Sequence, residues 1–369
     1  MKIGIDARMY GSGFTGIGRY NFELIQRLSE LDTHHHYIIF LRKEGFEAFT
    51  PPNQRFTKVL ADFPHYSLSE QTQFLSLLNS FQLDLMHFTH FNAPIFYRRP
   101  YVVTIHDLTL SFFPGKKMNR WFYRMAYHIV LSRVTRRAKM IIAVSKHTQK
   151  DLQKVLKISD SRIVVIYNGV NPEFSEPAAI TAQDLSKKFH LERPYFLYTG
   201  VWRDHKNLVG LIKAFKQFNA TDHGHDLVIT GKFNPIYEEV VETVKTLKLK
   251  DHVHLVGLVS EDDLKALYQH AFAYAFPSFY EGFGLPPLEA MQCGTPVLAS
   301  NASSIPEVCG EGNALFFDPY QTDDIAQKMQ TLVDDPPLRQ QLIQRGLERV
   351  KQFSWTTMAK KVLSLYNQF

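Results

Sequence analysis

A chain of 369 residues is long enough for two domains of ordinary size. Apolar residues make up 45% and charged residues 21%, which excludes a disordered or fibrous protein, and a net charge of +6 is too small to indicate nucleic acid as a partner. Two cysteines, Cys293 and Cys309, cannot build a disulfide framework, and Asp6 and Arg8 interrupt the first apolar run too early for a signal peptide. No uncharged apolar stretch approaches the roughly 20 residues of a membrane span. We therefore expect a cytoplasmic protein, in solution or resting on a membrane surface.

Strand-like runs alternate with segments of helical length along the whole chain. The first series of predicted strands lies at 2–7, 37–41, 83–88, 101–105, 140–144 and 163–166. The second lies at 195–199, 226–230, 252–256, 271–276 and 296–299, with helices predicted at 208–218, 236–247 and 261–270. Such alternation predicts an α/β fold of parallel sheets with helices on both faces.

Two series of strands predict two Rossmann-like domains that face each other. We expect an N-terminal domain at 1–172, a loose linker at 173–193, a C-terminal domain at 194–350 and a final helical segment at 351–369. Ligands of doubly wound sheets bind beyond the carboxyl ends of the strands, so the loops after the strands should carry the site.

A glycine-rich loop follows the first strand. It reads GSGFTGIGRY from Gly11 to Tyr20, and a helix is predicted after it. Glycines let the backbone approach an anion, and a helix start supplies free N–H donors, which favours phosphate binding over a purely structural loop. GSGFTG also fits the dinucleotide pattern G-x-G-x-x-G, but the glycines begin late and the second strand ends in Arg42 and Lys43, not in a carboxylate.

Two further loops carry polar residues suited to a site. His106 follows the strand at 101–105, where it could hydrogen-bond a substrate; a histidine held by Asp107 for packing is an equal alternative. In the second series, GVWRDHKN from 200 to 207 places Arg203 and Lys206 at a helix start. Two fixed cations there are suited to a departing diphosphate, although the same loop read alone is also an ordinary helix start with solvated charges.

The most specific motif is EGFGLPPLE, which runs from Glu281 to Glu289. Its two glutamates stand eight residues apart, one before a glycine turn and one on the helix after it. The amides of the turn could hold a phosphate or a sugar, and the carboxylates could accept hydrogen bonds from polyol hydroxyls. The surrounding aromatic residues and prolines argue against a plain surface turn.

With these motifs in this order and spacing, the sequence resembles the family-4 retaining glycosyltransferases from residue 3 to its last helix. The resemblance implies the GT-B fold, in which two Rossmann-like domains face each other and the C-terminal helix crosses back to the N-terminal domain. It also implies that Lys206 and a nearby arginine neutralise the donor diphosphate. Val201 stands where the family often has that arginine, directly after Gly200, so Arg203 is the candidate substitute.

The resemblance further implies a role for each remaining motif residue. It places Gly16, Gly18 and Gly200 at the donor diphosphate and His106 beside the donor sugar. It implies that Glu281 binds sugar hydroxyls and that Glu289 binds the ribose. The phosphate or the sugar would be bound by the amides of Phe283, Gly284 and Leu285, and the base would lie near Val259 and Glu261.

The sequence contains no Asp-x-Asp motif, so we expect catalysis without a metal ion or other cofactor. Retention is implied by the resemblance, and a front-face transfer is expected because no residue is an obvious carboxylate nucleophile. His34, His35 and His36 are expected to form a surface loop, because adjacent residues alternate sides and no carboxylate accompanies them. GDP-mannose is the preferred donor, since the surroundings of His106 and EGFGLPP look like those of bacterial mannosyltransferases.

A basic region suggests where the acceptor comes from. Residues 111–150 contain ten lysines and arginines and no acidic residue. Lys116, Lys117, Arg120 and Arg124 surround the aromatic run at 121–123, a pattern suited to an anionic membrane surface and a lipid-linked or glycan acceptor in surface polysaccharide or glycolipid synthesis. A solvated basic face with buried aromatics is the alternative.

Two other functions stay open from sequence. An NADP-dependent oxidoreductase would use GSGFTG for the pyrophosphate and Arg42 for the 2′-phosphate, but it leaves the paired glutamates without a role. A catalytically silent nucleotide-sugar-binding protein is the second, and His106, Lys206, Glu281 and Glu289 argue against it.

Overall fold

The computed structural model describes residues 1–11, 15–116, 121–221 and 223–369, except for the side chains of Thr15 and Thr221. The chain divides into two compact units: unit 1 contains Met1–Gly169 and Ser354–Phe369, and unit 2 contains Val170–Phe353. In these described ranges no helix is both long and apolar enough to cross a membrane.

Unit 1 is built on a seven-stranded parallel sheet with the order β3-β2-β1-β4-β5-β6-β7 in its described residues. Its strands are β1 (Lys2–Asp6), β2 (His36–Leu41), β3 (Phe56–Leu60), β4 (Leu85–Phe88), β5 (Tyr101–Ile105), β6 (Met140–Ala143) and β7 (Ile163–Val165). Its helices before the crossing into unit 2 are α1 (Thr15–Leu31), α2 (Lys43–Ala48), α3 (Leu75–Ser80), α4 (Thr109–Phe112), α5 (Trp121–Arg137) and α6 (Lys146–Leu156). Every residue of β5 is buried because helices cover both faces of the sheet.

In its described residues, unit 2 repeats this plan with a six-stranded parallel sheet in the order β10-β9-β8-β11-β12-β13. Its strands are β8 (Tyr195–Thr199), β9 (Asp226–Thr230), β10 (Val253–Gly257), β11 (Ala273–Phe276), β12 (Val297–Ser300) and β13 (Leu315–Phe317). Its helices are α7 (Ala182–Phe189), α8 (Leu208–Phe218), α9 (Glu239–Thr246), α10 (Glu261–Gln269), α11 (Leu285–Gln292), α12 (Ile305–Cys309), α13 (Thr322–Asp334) and α14 (Pro336–Val350). The parallel α/β sheets predicted from the alternation are confirmed.

The segment expected to be a loose linker, 173–193, contains the regular helix α7. A capping box starts this helix, because the Thr181 side chain accepts from the Asp184 N–H while the Asp184 side chain accepts from the Thr181 N–H. Lys188 then holds the helix to the rest of unit 2 through a 2.7 Å ion pair with Asp263. The helix was not predicted because a proline and two alanines precede it. Its capping box and one ion pair stabilise it.

The last helix, α15 (Trp355–Tyr366), returns to unit 1 and packs on α1. Ser354 caps it by accepting a hydrogen bond from the Thr357 N–H, and Trp355, Met358, Val362 and Tyr366 line its buried face at helical spacing. A β-carbon at Gly169 would lie 2.1 Å from the Trp355 nitrogen, so only glycine allows the chain to pass the start of α15. The implied return of the C-terminal helix is confirmed.

Candidate active site

Glycines at the carboxyl ends of β8, β9 and β10 set the shape of one edge of unit 2. Gly200, Gly231 and Gly257 have φ angles of +149°, +132° and +72°, which favour glycine. The Gly231 N–H donates to the Gly257 carbonyl at 2.9 Å, and a β-carbon on Gly231 would lie 2.0 Å from the Gly200 carbonyl oxygen. Backbone therefore packs directly on backbone here, which brings the loops after these strands side by side.

Lys206 and Glu281 meet at this edge, because their loops follow the neighbouring strands β8 and β11. The Lys206 Nζ lies 2.6 Å from the Glu281 Oε1, and the two side chains are 18% and 12% exposed. The loops are also joined through their backbones, since the Phe279 N–H donates to the His205 carbonyl at 2.8 Å. The pair is thus held on a rigid support and is partly exposed.

The turn of EGFGLPPLE is held in place by two serines from the segment before α12. The Glu281 N–H donates to the Ser303 Oγ at 2.9 Å. The Ser304 hydroxyl hydrogen-bonds both the Glu281 carbonyl at 2.9 Å and the Phe283 carbonyl at 3.0 Å. These bonds orient the backbone of the turn, so the position of Glu281 does not depend on its side chain alone.

Helix α11 starts directly after this turn. Gly284 has a φ of +92° and precedes the first helical residue, Leu285. Pro286 and Pro287 follow, and prolines suit a first turn because their missing N–H would have no partner there. The amides of Gly284 and Leu285 are therefore the donors that this helix start presents to an anion.

Glu289 lies on α11, and its Oε2 accepts a hydrogen bond from the Tyr268 hydroxyl at 3.1 Å. Burial, followed by the nearby Glu289 charge, raises the pKa of Tyr268 well above its ordinary value. Tyr268 therefore stays protonated and orients the Glu289 carboxylate, which is half-buried. The two glutamates of the motif consequently have different partners, Lys206 for Glu281 and Tyr268 for Glu289.

The other predicted residues of unit 2 follow strands β8 and β10 at the same edge of the sheet. Arg203 is exposed, directly precedes a 3-10 turn at Asp204–Lys206, and makes no ion pair with a described residue. Val259 is half-buried in the loop after β10, and Glu261 is exposed at the first position of α10. Arg203 does not pair with Glu281, and Glu261 does not pair with Lys206.

The glycine-rich segment of unit 1 differs from its prediction as a loop up to Tyr20. Helix α1 begins at Thr15, so Gly16 and Gly18 lie in its first turn. A β-carbon on Gly18 would lie 2.2 Å from the Gly11 carbonyl oxygen, so this glycine is needed for a close backbone contact. The residues at 12–14, which complete GSGFTG, lie outside the described residues.

His106 is held by a backbone carbonyl and not by Asp107. Its Nε2 lies 2.9 Å from the Thr89 carbonyl oxygen, which can only accept, so Nε2 carries the proton and Nδ1 is an acceptor. Burial lowers the pKa of His106 to about 4, so the imidazole is neutral near pH 7. Asp107 instead accepts from the Thr109 N–H at 2.7 Å. Asp107 is therefore not the hydrogen-bond partner of His106 that the packing alternative assumed.

Sequence reasoning missed a buried ion network at the end of strand β1. The guanidinium of Arg8 is fully buried and pairs with Asp6 at 2.8 Å and with Glu70 at 2.9 Å. Two charged residues at the end of the first strand were the available signal, but their partner Glu70 lies 62 positions beyond Arg8 and belongs to no motif. The network joins the carboxyl end of β1, which precedes the glycine-rich segment, to Glu70.

The surface loop expected at His34–His36 is also corrected. His35 is buried, and its Nδ1 lies 2.6 Å from a carboxylate oxygen of Asp32, which the sequence reasoning did not associate with it. Within the described ranges, no group of three or more histidine, cysteine, aspartate or glutamate side chains could hold a metal ion. Metal independence itself stays a prediction.

Comparison with known proteins agrees with this arrangement. Residues 14–174 match the family model described as Glycosyltransferase Family 4, and residues 180–349 match the one described as Glycosyl transferases group 1. The chain belongs to the family-4 glycosyltransferases. This glycosyltransferase is 27% identical to O-antigen chain mannosyltransferase B of Escherichia coli, over 95% of this chain and 96% of the relative. It is 28% identical to O-antigen chain mannosyltransferase RfbU of Salmonella typhimurium, over 84% of each.

Solved structures show the fold of this glycosyltransferase. Sucrose-phosphate synthase from Thermosynechococcus elongatus superposes with a TM-score of 0.80 at 21% identity, over 100% of this chain and 98% of that one. Anabaena HepE, solved with UDP and glucose, superposes with a TM-score of 0.79 at 18% identity, over 100% of both chains. The GT-B fold implied by the resemblance is confirmed.

Proposed function

We propose that this glycosyltransferase moves mannose from GDP-mannose to a glycan or lipid-linked acceptor in the synthesis of a surface polysaccharide or glycolipid. The observation that carries the proposal is the Lys206–Glu281 pair beside the amides of Gly284 and Leu285. It combines a cation and backbone donors, which suit a diphosphate, with a carboxylate, which suits sugar hydroxyls. The two O-antigen mannosyltransferases support mannose as the sugar.

In the proposed reaction, the bond from the sugar C1 to the diphosphate oxygen breaks while a bond from C1 to the acceptor oxygen forms on the same face. The acceptor proton passes to the departing phosphate oxygen, so the transfer is balanced and retaining. Lys206, helped by Arg203, stabilises the charge that develops on the diphosphate, in place of a metal ion. Once Lys206 contacts phosphate, Glu281 accepts from the sugar hydroxyls, and Glu289 accepts from the ribose.

The remaining roles are proposed in the same way. The backbone at Gly16, Gly18 and Gly200 approaches the donor diphosphate, and the loop containing Val259 and Glu261 contacts the base. His106 is neutral near pH 7, and its Nδ1 can accept a hydrogen bond from a hydroxyl of the donor sugar. A neutral acceptor suits an uncharged hydroxyl better than an imidazolium would.

A donor panel tests this proposal. GDP, UDP, ADP and their mannose and glucose conjugates are compared by thermal shift, and transfer is then measured with and without EDTA. We expect GDP-mannose to raise the melting temperature most and to support transfer that EDTA does not reduce. UDP-sugars acting in place of GDP-mannose would overturn the donor assignment, and loss of transfer with EDTA would overturn the metal-free mechanism.

No structural observation favours the oxidoreductase alternative. Arg42, which would bind the 2′-phosphate of NADP, has its Nε 3.2 Å from the Asp62 carboxylate. Binding of NADPH without any binding of GDP or UDP would revive this alternative.

We also propose that α5 rests on the anionic surface of the cytoplasmic side of a membrane, where a lipid-linked acceptor would be presented. Trp121 is 72% exposed and Ile129 is 50% exposed. Phe122, Tyr123 and Met125 are also exposed, each to a smaller fraction. These aromatic side chains are therefore not buried, whereas the alternative of a solvated basic face requires them to be buried. Arg124 and Arg133 are exposed on the same helix. Lys117 and Arg120 lie outside the described residues. Exposed apolar side chains among cations suit a bilayer interface.

Vesicle sedimentation tests this surface. The double variant Arg124→Glu and Arg133→Glu should weaken binding to phosphatidylserine-containing vesicles by about 30-fold or more, because each basic residue contributes about 1 kcal/mol at such a surface. Lys213→Glu with Lys216→Glu, two exposed residues of α8, changes the net charge equally and is the control. Equal binding to neutral and anionic vesicles by the wild type would remove the proposal.

A further inference from the structure

Four polar side chains form a continuous hydrogen-bonded chain through the interior of unit 1. The Tyr366 hydroxyl of α15 lies 2.5 Å from the His87 Nδ1 of β4, and the His87 Nε2 lies 2.8 Å from the Thr104 Oγ1 of β5. The Thr104 Oγ1 in turn lies 3.1 Å from the Tyr20 hydroxyl of α1. All four residues have no solvent exposure. We call them the buried relay.

The buried relay ends against His106. The Tyr20 ring meets the His106 ring edge to face, with centroids 4.9 Å apart and planes at 84°. Thr104 also precedes His106 by two residues on the same strand end. Tyr20 belongs to α1, whose first turn contains Gly16 and Gly18. Tyr20 or its helix therefore supports all three residues assigned to the donor in unit 1: His106, Gly16 and Gly18.

The protons of the buried relay can be assigned in two directions. Burial lowers the pKa of His87 to about 3, so its ring is neutral and carries one N–H. Either Tyr366 donates to Nδ1 and Nε2–H donates to Thr104, or Thr104 donates to Nε2 and Nδ1–H donates to Tyr366. In both cases each nitrogen has its partner, and removal of the Tyr366 hydroxyl leaves a buried nitrogen without one.

Packing alone does not require this arrangement, because apolar residues of similar size would fill the same interior without any need for partners. Buried polar networks instead specify one geometry, since each member must be matched in direction as well as in distance. The network here joins the last helix of the chain to the ring that touches His106.

We propose that Tyr366, His87, Thr104 and Tyr20 are positioning residues for sugar transfer: they set the orientation of His106 and of the first turn of α1, and so make the donor-sugar contact depend on the docking of α15. This inference rests on the proposed function, in which His106 contacts the donor sugar. A misplaced sugar reacts more slowly because its C1 departs from the geometry of attack.

The test is Tyr366→Phe, which removes the hydroxyl and keeps the ring. We expect kcat for transfer to fall about tenfold, as a misplacement well under 1 Å would produce, while the affinity for free GDP stays unchanged. The matched control is Tyr101→Phe, which removes another buried hydroxyl of unit 1, bonded to the Val134 carbonyl at 2.7 Å and outside the buried relay. Tyr101→Phe should lose stability without losing kcat.

A second readout separates this inference from the proposed function. In protein labelled with ¹⁵N-histidine, the ring nitrogen signals of His106 should shift in Tyr366→Phe and keep their wild-type positions in Tyr101→Phe. Unchanged His106 signals, unchanged kcat, or an equal fall of kcat in both variants would each overturn the positioning role. Absence of transfer by the wild type from every donor would overturn the proposed function, and the nitrogen signals would still decide whether Tyr366 orients His106. If Tyr366→Phe does not fold, Tyr20→Phe removes the hydroxyl at the other end of the buried relay.

Discussion

Replacing Lys206 with methionine is expected to lower kcat for sugar transfer by about 10²–10³-fold, the usual effect of removing one group that stabilises developing charge. Methionine keeps an unbranched apolar side chain near the Phe276 ring, whose centroid lies 5.7 Å from the Lys206 Nζ. It removes only the charge that faces the departing diphosphate. Glu281, at 12% exposure, then loses its ion-pair partner, so we also expect a small loss of stability.

The matched control for this prediction is Lys213→Met on α8, an exposed lysine of the same unit. Both variants lose one positive charge, but only Lys206 lies against Glu281. Arg203→Met should give a smaller reduction than Lys206→Met, because an exposed charge is screened by solvent. Steady-state kinetics of sugar transfer measure kcat for the wild type and for each variant. A Lys206→Met enzyme with kcat within threefold of the wild type would refute the assigned role of this lysine.

Replacing Gly231 with alanine is expected to lower the free energy of unfolding by about 3 kcal/mol or more, at the high end of single substitutions. The new β-carbon would lie 2.0 Å from the Gly200 carbonyl oxygen, and the φ of +132° is itself unfavourable for alanine. Since the obstacle is backbone and not a flexible side chain, the loop after β8 must move. The displacement should therefore also reduce transfer.

Urea denaturation measures this effect, with Gly224→Ala as its control. Gly224 has a φ of +67°, and a β-carbon there meets nothing within 4 Å. The control reports the conformational cost alone, about 1–2 kcal/mol. If the two variants unfold at the same urea concentration, the backbone contact between Gly231 and Gly200 does not limit the site as described.

Local sequence patterns were sufficient for the interior of the fold and insufficient at its edges. The buried apolar runs of β5 and β8 are unmistakable, and their loops were correctly expected at the carboxyl edge of a sheet. Strand β3 was missed because its residues are only partly buried at the sheet edge. Strand β13 was also missed, although the equally short β7 was predicted. The start of α1 was predicted too late because glycines such as Gly16 lower helix propensity. In the structure, the packing of the helix outweighs this preference.

The candidate site could also be predicted only in part. The motifs containing Lys206 and Glu281 could be recognised from sequence. The 2.6 Å distance between their charged atoms could not be predicted, because it depends on β8 and β11 being neighbours in the sheet. The bond between His87 and Tyr366 joins residues 279 positions apart, which no local pattern could predict. The roles of all the predicted site residues, Lys206, Glu281, Glu289 and His106 included, stay predictions.

The most direct test of the whole account is a crystal structure of the enzyme with GDP-mannose. We predict the diphosphate within hydrogen-bond distance of the Lys206 Nζ and the amides of Gly284 and Leu285, with the ribose on Glu289 and the base at residues 257–261. A nucleotide bound elsewhere, with Lys206 still paired to Glu281, would contradict it.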